Sequence, residues 1–230
     1  MKSNYKRLGD YIRQVDVRNR GIITNNLLGI NIDKFFMPSV ANVIGTDLSN
    51  YKLIKNNQFA CNPMHVGRDE RIPVALYLEN SEAIVSPAYF VFEIVKDELS
   101  SQYLMLWFRR PEFDRECWFY TDASVRGGIT WEDFCEMRIP VPPMEDQEKI
   151  VDAYQKIETR IALKKKINEN LEKQAIAMFH KLFDDQNTWN DGAFADLGEI
   201  VGGATPSKEK AEYFCDNGIV WLTPKDLTST

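Results

Sequence analysis

The residue types that most often carry chemistry are sparse in this chain of 230 residues, and they are poorly placed for it. Cys61, Cys117, Cys135 and Cys215 stand apart, with no Cys-x-x-Cys pair, and the two histidines, His65 and His180, make no ligand cluster with them. A structural zinc site is therefore not expected, and the cysteines read as free thiols in a reducing compartment. Asn62-Pro63-Met64-His65 begins like the Asn-Pro-Pro-Tyr element of amino-methyltransferases. It lacks the second proline and the aromatic, and no glycine-rich cofactor loop precedes it, so it reads as a turn after a strand. Gly202-Gly203-Ala204-Thr205-Pro206-Ser207 lacks the Gly-Lys-Ser/Thr of a phosphate-binding loop. Asp69-Glu70 and Glu132-Asp133 are adjacent acids with no spaced lysine or third acid to complete a metal-dependent nuclease. No nucleophile motif supports acyl transfer. By itself the chain reads as a non-enzyme.

Composition sets further bounds. Hydrophobic content of 44% and charged content of 27% are those of a globular chain. The formal net charge is −6, from 28 Lys+Arg against 34 Asp+Glu. That excess opposes nonspecific coating of nucleic acid but leaves room for a local basic face. In the first twenty residues Lys2, Lys6, Arg7, Arg13, Arg18 and Arg20 face only Asp10 and Asp16. The first residues lack the apolar run of a signal peptide, and no stretch approaches eighteen consecutive apolar residues. A cytoplasmic chain that does not span a membrane is expected.

The element that must organise the rest is a long helix after Pro140, Pro142 and Pro143. Glu145, Asp146 and Glu148 lie where a helix N-terminus favours carboxylates, and about forty residues then pass without Gly or Pro. Ile150, Tyr154, Ile157 and Ile161 recur at steps of four and three. Leu171, Ala175, Met178 and Leu182 resume the stripe after Lys164 and Asn168. This is the pattern of a coiled-coil seam, on a helix of roughly 60 Å, and it calls for a partner helix. Upstream, a short amphipathic element is expected over 8–17, strands at 27–30, 40–44, 52–54, 58–62, 72–78, 88–95 and 137–141, and helices over 101–109, 112–119 and from a capping Thr130; a further strand is expected at 219–222. The fold class is α+β: a mixed module over 1–143, the long helix over 144–184, and a linker with the start of a second module over 185–230. Asp196-Leu197-Gly198-Glu199-Ile200 repeats the pattern Arg7-Leu8-Gly9-Asp10-Tyr11, which suggests an internal repeat whose second copy stops early.

With these pieces in order, the chain resembles a specificity subunit of a type I restriction-modification system, truncated or half-length. The resemblance runs through LIKNNQFACNPMHVGR, SPAYFVFEI, SVRGGITWEDF and the prolines leading into MEDQEKIV. ADLGEIVGGATPSKEKAEYF resembles the opening of a second target-recognition domain. Family members usually carry two recognition domains and two long helices that pack antiparallel; here there is one of each and a short piece more. The resemblance implies recognition of a two-part target in double-stranded DNA, with the helix setting the half-site spacing. It also implies type I methyltransferase subunits that carry S-adenosylmethionine and methylate adenine, and a restriction subunit that uses ATP and magnesium. None of these cofactors is expected on this chain. The missing helix would come most simply from a second copy, packed antiparallel about a two-fold axis. An inactive or inhibitory partial subunit, or a coiled-coil scaffold without DNA binding, are the alternative readings.

If DNA is the partner, loops must read it. Arg126 in Ser-Val-Arg-Gly-Gly is the first candidate: Gly127 and its neighbour let backbone approach DNA, and a guanidinium can grip guanine or phosphate bidentately. Arg68 and Arg71, after Gly67 and with Asn62 and His65 nearby, form a second candidate loop, for which surface ion pairs with Asp69 or Glu70 are the competing role. Arg18 and Arg20 are third, as phosphate contacts. Arg109 and Arg110 suit a helix C-terminus without any DNA. Tyr120 and Trp131 are aromatic enough to pack on sugars or bases, with core packing as the commoner role. Lys164-Lys165-Lys166 reads as the solvated face of the helix.

Overall fold

The computed structural model describes residues 5–40, 45–64, 66–121, 127–184, 192–199, 207 and 209–210. It divides into two compact units, Met1–Glu169 and Asn170–Thr230. In chain order the elements begin with β1 (Tyr5–Arg7), β2 (Ile12–Gln14), β3 (Leu28–Ile30), β4 (Phe36–Pro38) and β5 (Lys52–Ile54). Then come β6 (Gln58–Cys61), α1 (Val66–Asp69), β7 (Val74–Tyr77), β8 (Ala83–Val85) and β9 (Phe90–Ile94). Helices α2 (Ser101–Phe108), α3 (Pro111–Phe119) and α4 (Trp131–Glu136), strand β10 (Arg138–Pro140) and helix α5 (Met144–Phe183) complete the series.

The first unit is built on a four-stranded antiparallel sheet of order β2-β9-β6-β7. Its strands follow the two-residue alternation of a pleated sheet. Phe59, Cys61, Val74 and Phe92 face a large core roofed by α2, α3 and α4. Ala60, Tyr77 and Val91 face a smaller core with Ile54 of β5 and Ala83 and Val85 of β8. On the helical side the Phe59 and Phe92 rings stack at 5.0 Å, Phe108 meets Phe59 edge-on, and Phe108 packs on Phe113 at 4.8 Å. These fully buried rings weld sheet to helices.

Local signals explain the helix boundaries. Ser100 and Thr130 each accept a backbone hydrogen bond as N-caps of α2 and α4. Pro111, which ends the preceding helix, also opens the next by occupying its first turn. α5 runs for 40 residues and is fastened at its start by Gln147, which is wholly buried. Its amide nitrogen donates to Glu98 O at 2.7 Å and Pro142 O at 2.8 Å, and its oxygen accepts from Ser100 N at 2.9 Å. Val151 is the last side chain of the helix in the core.

One edge of the sheet carries a pH-sensitive tie. Glu93 accepts from Arg13 at 2.5 Å and from Gln58 at 2.9 Å, joining β2, β9 and β6. The Arg13 hydrogen bond, then that of Gln58, hold its carboxyl below the ordinary value of 4.5. A depressed folded pKa stabilises above the unfolded value and loses that contribution as pH falls through the folded one. Urea midpoints are therefore expected to decline below about pH 4.5, with Glu93→Gln flattening part of that decline; an unchanged profile in the variant would assign the acid sensitivity elsewhere.

Several expectations need correction. The 8–17 segment is not one element: a 3-10 turn over Leu8–Asp10 gives way to β2. Strands β1, β4 and β8 were not foreseen, and of the strand expected at 40–44 only Val40 is described, exposed and outside any strand. The two Leu-Gly-acidic stretches sit in different surroundings. In the first unit Leu8 is fully buried, and a side chain on Gly9 would stand 2.8 Å from Cys135 Cβ. In the second, the 3-10 turn covers Phe194–Asp196, Leu197 is 83% exposed and Gly198 has open space around it. The strand expected at 219–222 lies outside the described residues.

Candidate nucleic-acid interface

Strand β6 delivers the chain into a loop at Asn62, and α4 is preceded by a second loop at Gly127 and Gly128. The tertiary structure stitches these loops together across about sixty residues of sequence. Gly67 N donates to Gly127 O at 2.7 Å, and Ile129 N donates to Pro63 O at 3.1 Å. The contact is backbone on backbone. A Cβ on Gly67 would fall 2.9 Å from Gly127 Cα, and one on Gly127 would fall 2.7 Å from Gly67 Cα. Gly127 also has φ +49°, in the left-handed region that side chains disfavour. Two of the loops proposed from sequence are thus one composite surface, flanked by the C-terminal end of α3: Thr121 Oγ1 lies 3.3 Å from the same Cβ position on Gly67.

Arg68 stands on this surface with its side chain 64% exposed. Its Nε and Nη2 donate to Asp69 at 2.6 and 3.0 Å, and this hydrogen-bonded pair holds the guanidinium above its ordinary pKa. The competing ion-pair role is realised, on a side chain still open to solvent. Arg71 reaches away to Asp33 at 3.0 Å, both exposed, and ties the loop to the β3–β4 turn. Asn62 has a turn-forming role: its Oδ1 accepts from Met64 N at 3.1 Å, and its own N–H bonds Pro73 O. Arg126 and His65 lie outside the described residues.

Arg18 and Arg20 belong to a different junction. Arg18 donates to Asn50 O and to both oxygens of Asp16, which gives it a structural role beside β5. Arg20 is exposed. Arg109 pairs with Glu158 at 3.0 Å and lies over the Tyr154 ring, while Arg110 lies over Trp107. Trp131 packs against Phe92 and Phe134, a core role. Tyr120 remains 37% exposed.

Sequence reasoning missed the anchor beneath the loop pair. Lys34, at φ +68° in the β3–β4 turn, is buried against Asp114 of α3, with Nζ–Oδ1 at 2.7 Å. Lys34 also donates to Phe108 O, and Asp114 accepts from Ile72 N at 3.1 Å. The pair is eighty residues apart in sequence, so no spacing could have flagged it. Gln147 was more accessible, since it belongs to the Glu-Asp-Gln element already singled out.

Burial pushes the Cys61 and Cys117 thiols well up, which keeps them protonated and inert. Among the described residues no group of three or more His, Cys, Asp or Glu could hold a metal ion. Nor is any described helix long and apolar enough to cross a membrane.

On α5 the residues of the apolar stripe are exposed. Ile150, Tyr154, Ile157, Ile161, Leu171, Met178 and Leu182 are between 38 and 63% exposed, and Ala175 is exposed as well. Leu163, Ile167, Ile176, Phe179 and Phe183, also exposed, make the apolar surface wider than the seam alone.

The family model described as "Type I restriction modification DNA specificity domain" matches residues 4–173. The chain belongs to the type I restriction-modification DNA specificity family. It is 26% identical over 231 residues to the type I restriction enzyme HindI specificity subunit of Haemophilus influenzae (strain ATCC 51907 / DSM 11121 / KW20 / Rd). That alignment takes in 96% of this chain and 48% of the relative, so the chain spans about half the length of the curated subunit. Among solved structures it is similar to a chain from a type I R-M system (17% identity, TM-score 0.47, 78% of this chain and 44% of that one). It is also similar to the HsdS subunit from Thermoanaerobacter tengcongensis (16% identity, TM-score 0.44, 71% and 39%).

Proposed function

We propose that this specificity-family chain reads DNA sequence for a type I restriction-modification complex, through the composite surface of the 62–69 and 127–128 loops. The observation that carries this reading is the backbone-on-backbone contact of Gly67 with Gly127. It gathers two loops, one of them carrying Arg68, into one surface and strips their junction of side chains, so that a groove wall can approach closely. Arg68, already extended and half in solvent, exchanges Asp69 for a phosphate or a base edge. The chain supplies no catalysis itself; methyltransferase partners bring S-adenosylmethionine and modify adenines, and a restriction partner brings ATP and magnesium.

The target is bipartite. One module reads one half-site, and α5, roughly 60 Å at the ordinary helical rise, sets the distance to the next. The open seam from Ile150 to Leu182 takes a second helix of the same kind, most simply from a second copy packed antiparallel. A two-fold pair reads an inverted repeat.

Methylation mapping tests this directly. The chain is produced with its cognate methyltransferase subunit in a methylation-free host, and modified adenines are located by long-read sequencing. A two-part inverted repeat is expected. An asymmetric motif would replace the homodimer with a pairing to a different half-subunit. Stable co-purification with the methyltransferase and no motif at all would sink the recognition reading.

A further inference from the structure

Helix α3 ends in Trp118-Phe119-Tyr120, and the three side chains are 47, 82 and 37% exposed. The inward face of the helix is already complete, with Phe113, Asp114 and Cys117 buried. The aromatic run is therefore surplus to the core, and a Phe left at 82% exposure forfeits the free energy of burial unless something covers it. Phe119 meets the Tyr120 ring edge-to-face at 5.7 Å. Arg115, one helical turn before Phe119 and on the same face, has its side chain 69% exposed and Nη2 3.5 Å from Glu112 Oε1, a surface pair that a phosphate can displace.

Position says what covers this face. Thr121, the next residue in the chain, donates from Oγ1 to Trp118 O at 2.7 Å and rests against Gly67. The aromatic run thus adjoins the loop pair, and a duplex seated on the glycine junction would extend over the end of α3. A solvent-exposed phenyl ring one helical turn from an exposed arginine matches a base step next to its phosphate.

We propose that Phe119, flanked by Tyr120 and Arg115, is an apolar wedge that packs into the DNA duplex next to the base-reading loops and partly unstacks a base step, while Arg115 holds the adjoining phosphate. The proposal rests on the DNA-recognition reading above. It adds a sequence preference that comes from the ease of deforming one step rather than from hydrogen bonds to bases.

The test uses the chain in complex with its methyltransferase partner, and a duplex bearing the mapped target with 2-aminopurine placed at successive steps. Phe119→Ala is expected to lower affinity for that duplex about tenfold and to abolish the 2-aminopurine fluorescence rise at one step, with Phe119→Trp restoring both. The slope of log affinity against log salt is expected to stay unchanged in Phe119→Ala and to fall by about one in Arg115→Ala. Thermal midpoints report whether each variant is folded. Wild-type affinity in Phe119→Ala, with a loss in Arg68→Ala, would overturn the wedge and leave DNA recognition standing. Failure of Phe119→Ala to bind the methyltransferase would make this face a protein contact and overturn the wedge as well. Wild-type affinity in Phe119→Ala, Arg68→Ala and Gly127→Ala together would remove both the wedge and this DNA-binding face.

Discussion

Replacing Asp114 with alanine is expected to destabilise the first unit by about 3–5 kcal/mol, because it strands a buried ammonium without its counter-ion. Lys34 and its partner have side chains only 5 and 10% exposed, so water cannot take the carboxylate's place. The loss is compounded at the backbone, since Ile72 N loses its acceptor. Lys34 cannot easily retreat either: it sits at φ +68° in a turn whose own hydrogen bonds, Lys34 N to Asn31 O and Asn31 N to Phe35 O, hold it down. Asp114→Asn keeps an acceptor for Ile72 but removes the charge, and should recover only part of the deficit. The double variant Lys34→Met/Asp114→Leu should recover more, because it removes both charges at once. Urea unfolding at constant m-value measures all three. A shift below about 1 kcal/mol in Asp114→Ala would mean that Lys34 finds solvent by a small movement, and the anchor would be a surface pair. The same pair joins the β3–β4 turn, the end of α2, α3 and the segment before β7, so its loss should also loosen the 62–71 loop.

The second large effect is expected at Gly127. Gly127→Ala meets two obstacles at once, a Cβ 2.7 Å from Gly67 Cα and a left-handed φ of +49°. Neither neighbour is a flexible side-chain end, so the two loops must separate. The left-handed backbone alone costs about 1–2 kcal/mol, which a domain with a full aromatic core tolerates. Specific DNA binding should suffer far more than stability, because the composite surface exists only while the loops touch. We expect at least a tenfold fall in affinity for the mapped target, with a melting temperature a few degrees lower. Gly67→Ala should behave alike, having a Cβ 2.9 Å from Gly127 Cα but no φ penalty. Comparing the two separates steric contact from backbone strain. Full target affinity in both would show that recognition does not need the loops joined.

The strands legible in the sequence were those with strong local signals. Lys52–Ile54, Val74–Tyr77 and Phe90–Ile94 are short apolar runs rich in β-branched and aromatic residues, and each is a strand. β1 escaped notice because Tyr5-Lys6-Arg7 is polar and exposed; it exists through its ladder with β10, more than 130 residues away. β8, Ala83–Val85, is fixed by pairing with β5, about thirty residues away. The Leu-Gly-acidic stretches of the two units differ in their surroundings for a similar reason. Leu8 is buried because its N–H meets Met137 O and Gly9 abuts Cys135, whereas Leu197 is exposed.

Candidate arginines divided along the same line. The sequence could mark Arg18, Arg68, Arg71 and Arg126 as cations in loops, since exposure and glycine content are local properties. It could not say that Arg18 is consumed by Asp16 and Asn50, that Arg71 ties down to Asp33, or that Arg68 stays open beside a second loop. Helix α5, by contrast, was determined by sequence alone in its start and length: helix formation depends on neighbours within a turn, and forty residues without Gly or Pro leave little alternative. The union of the 62–69 and 127–128 loops, and the Lys34–Asp114 anchor beneath them, were decided only by tertiary structure. They join residues sixty to eighty positions apart, and contacts at that separation leave no periodic trace along the chain.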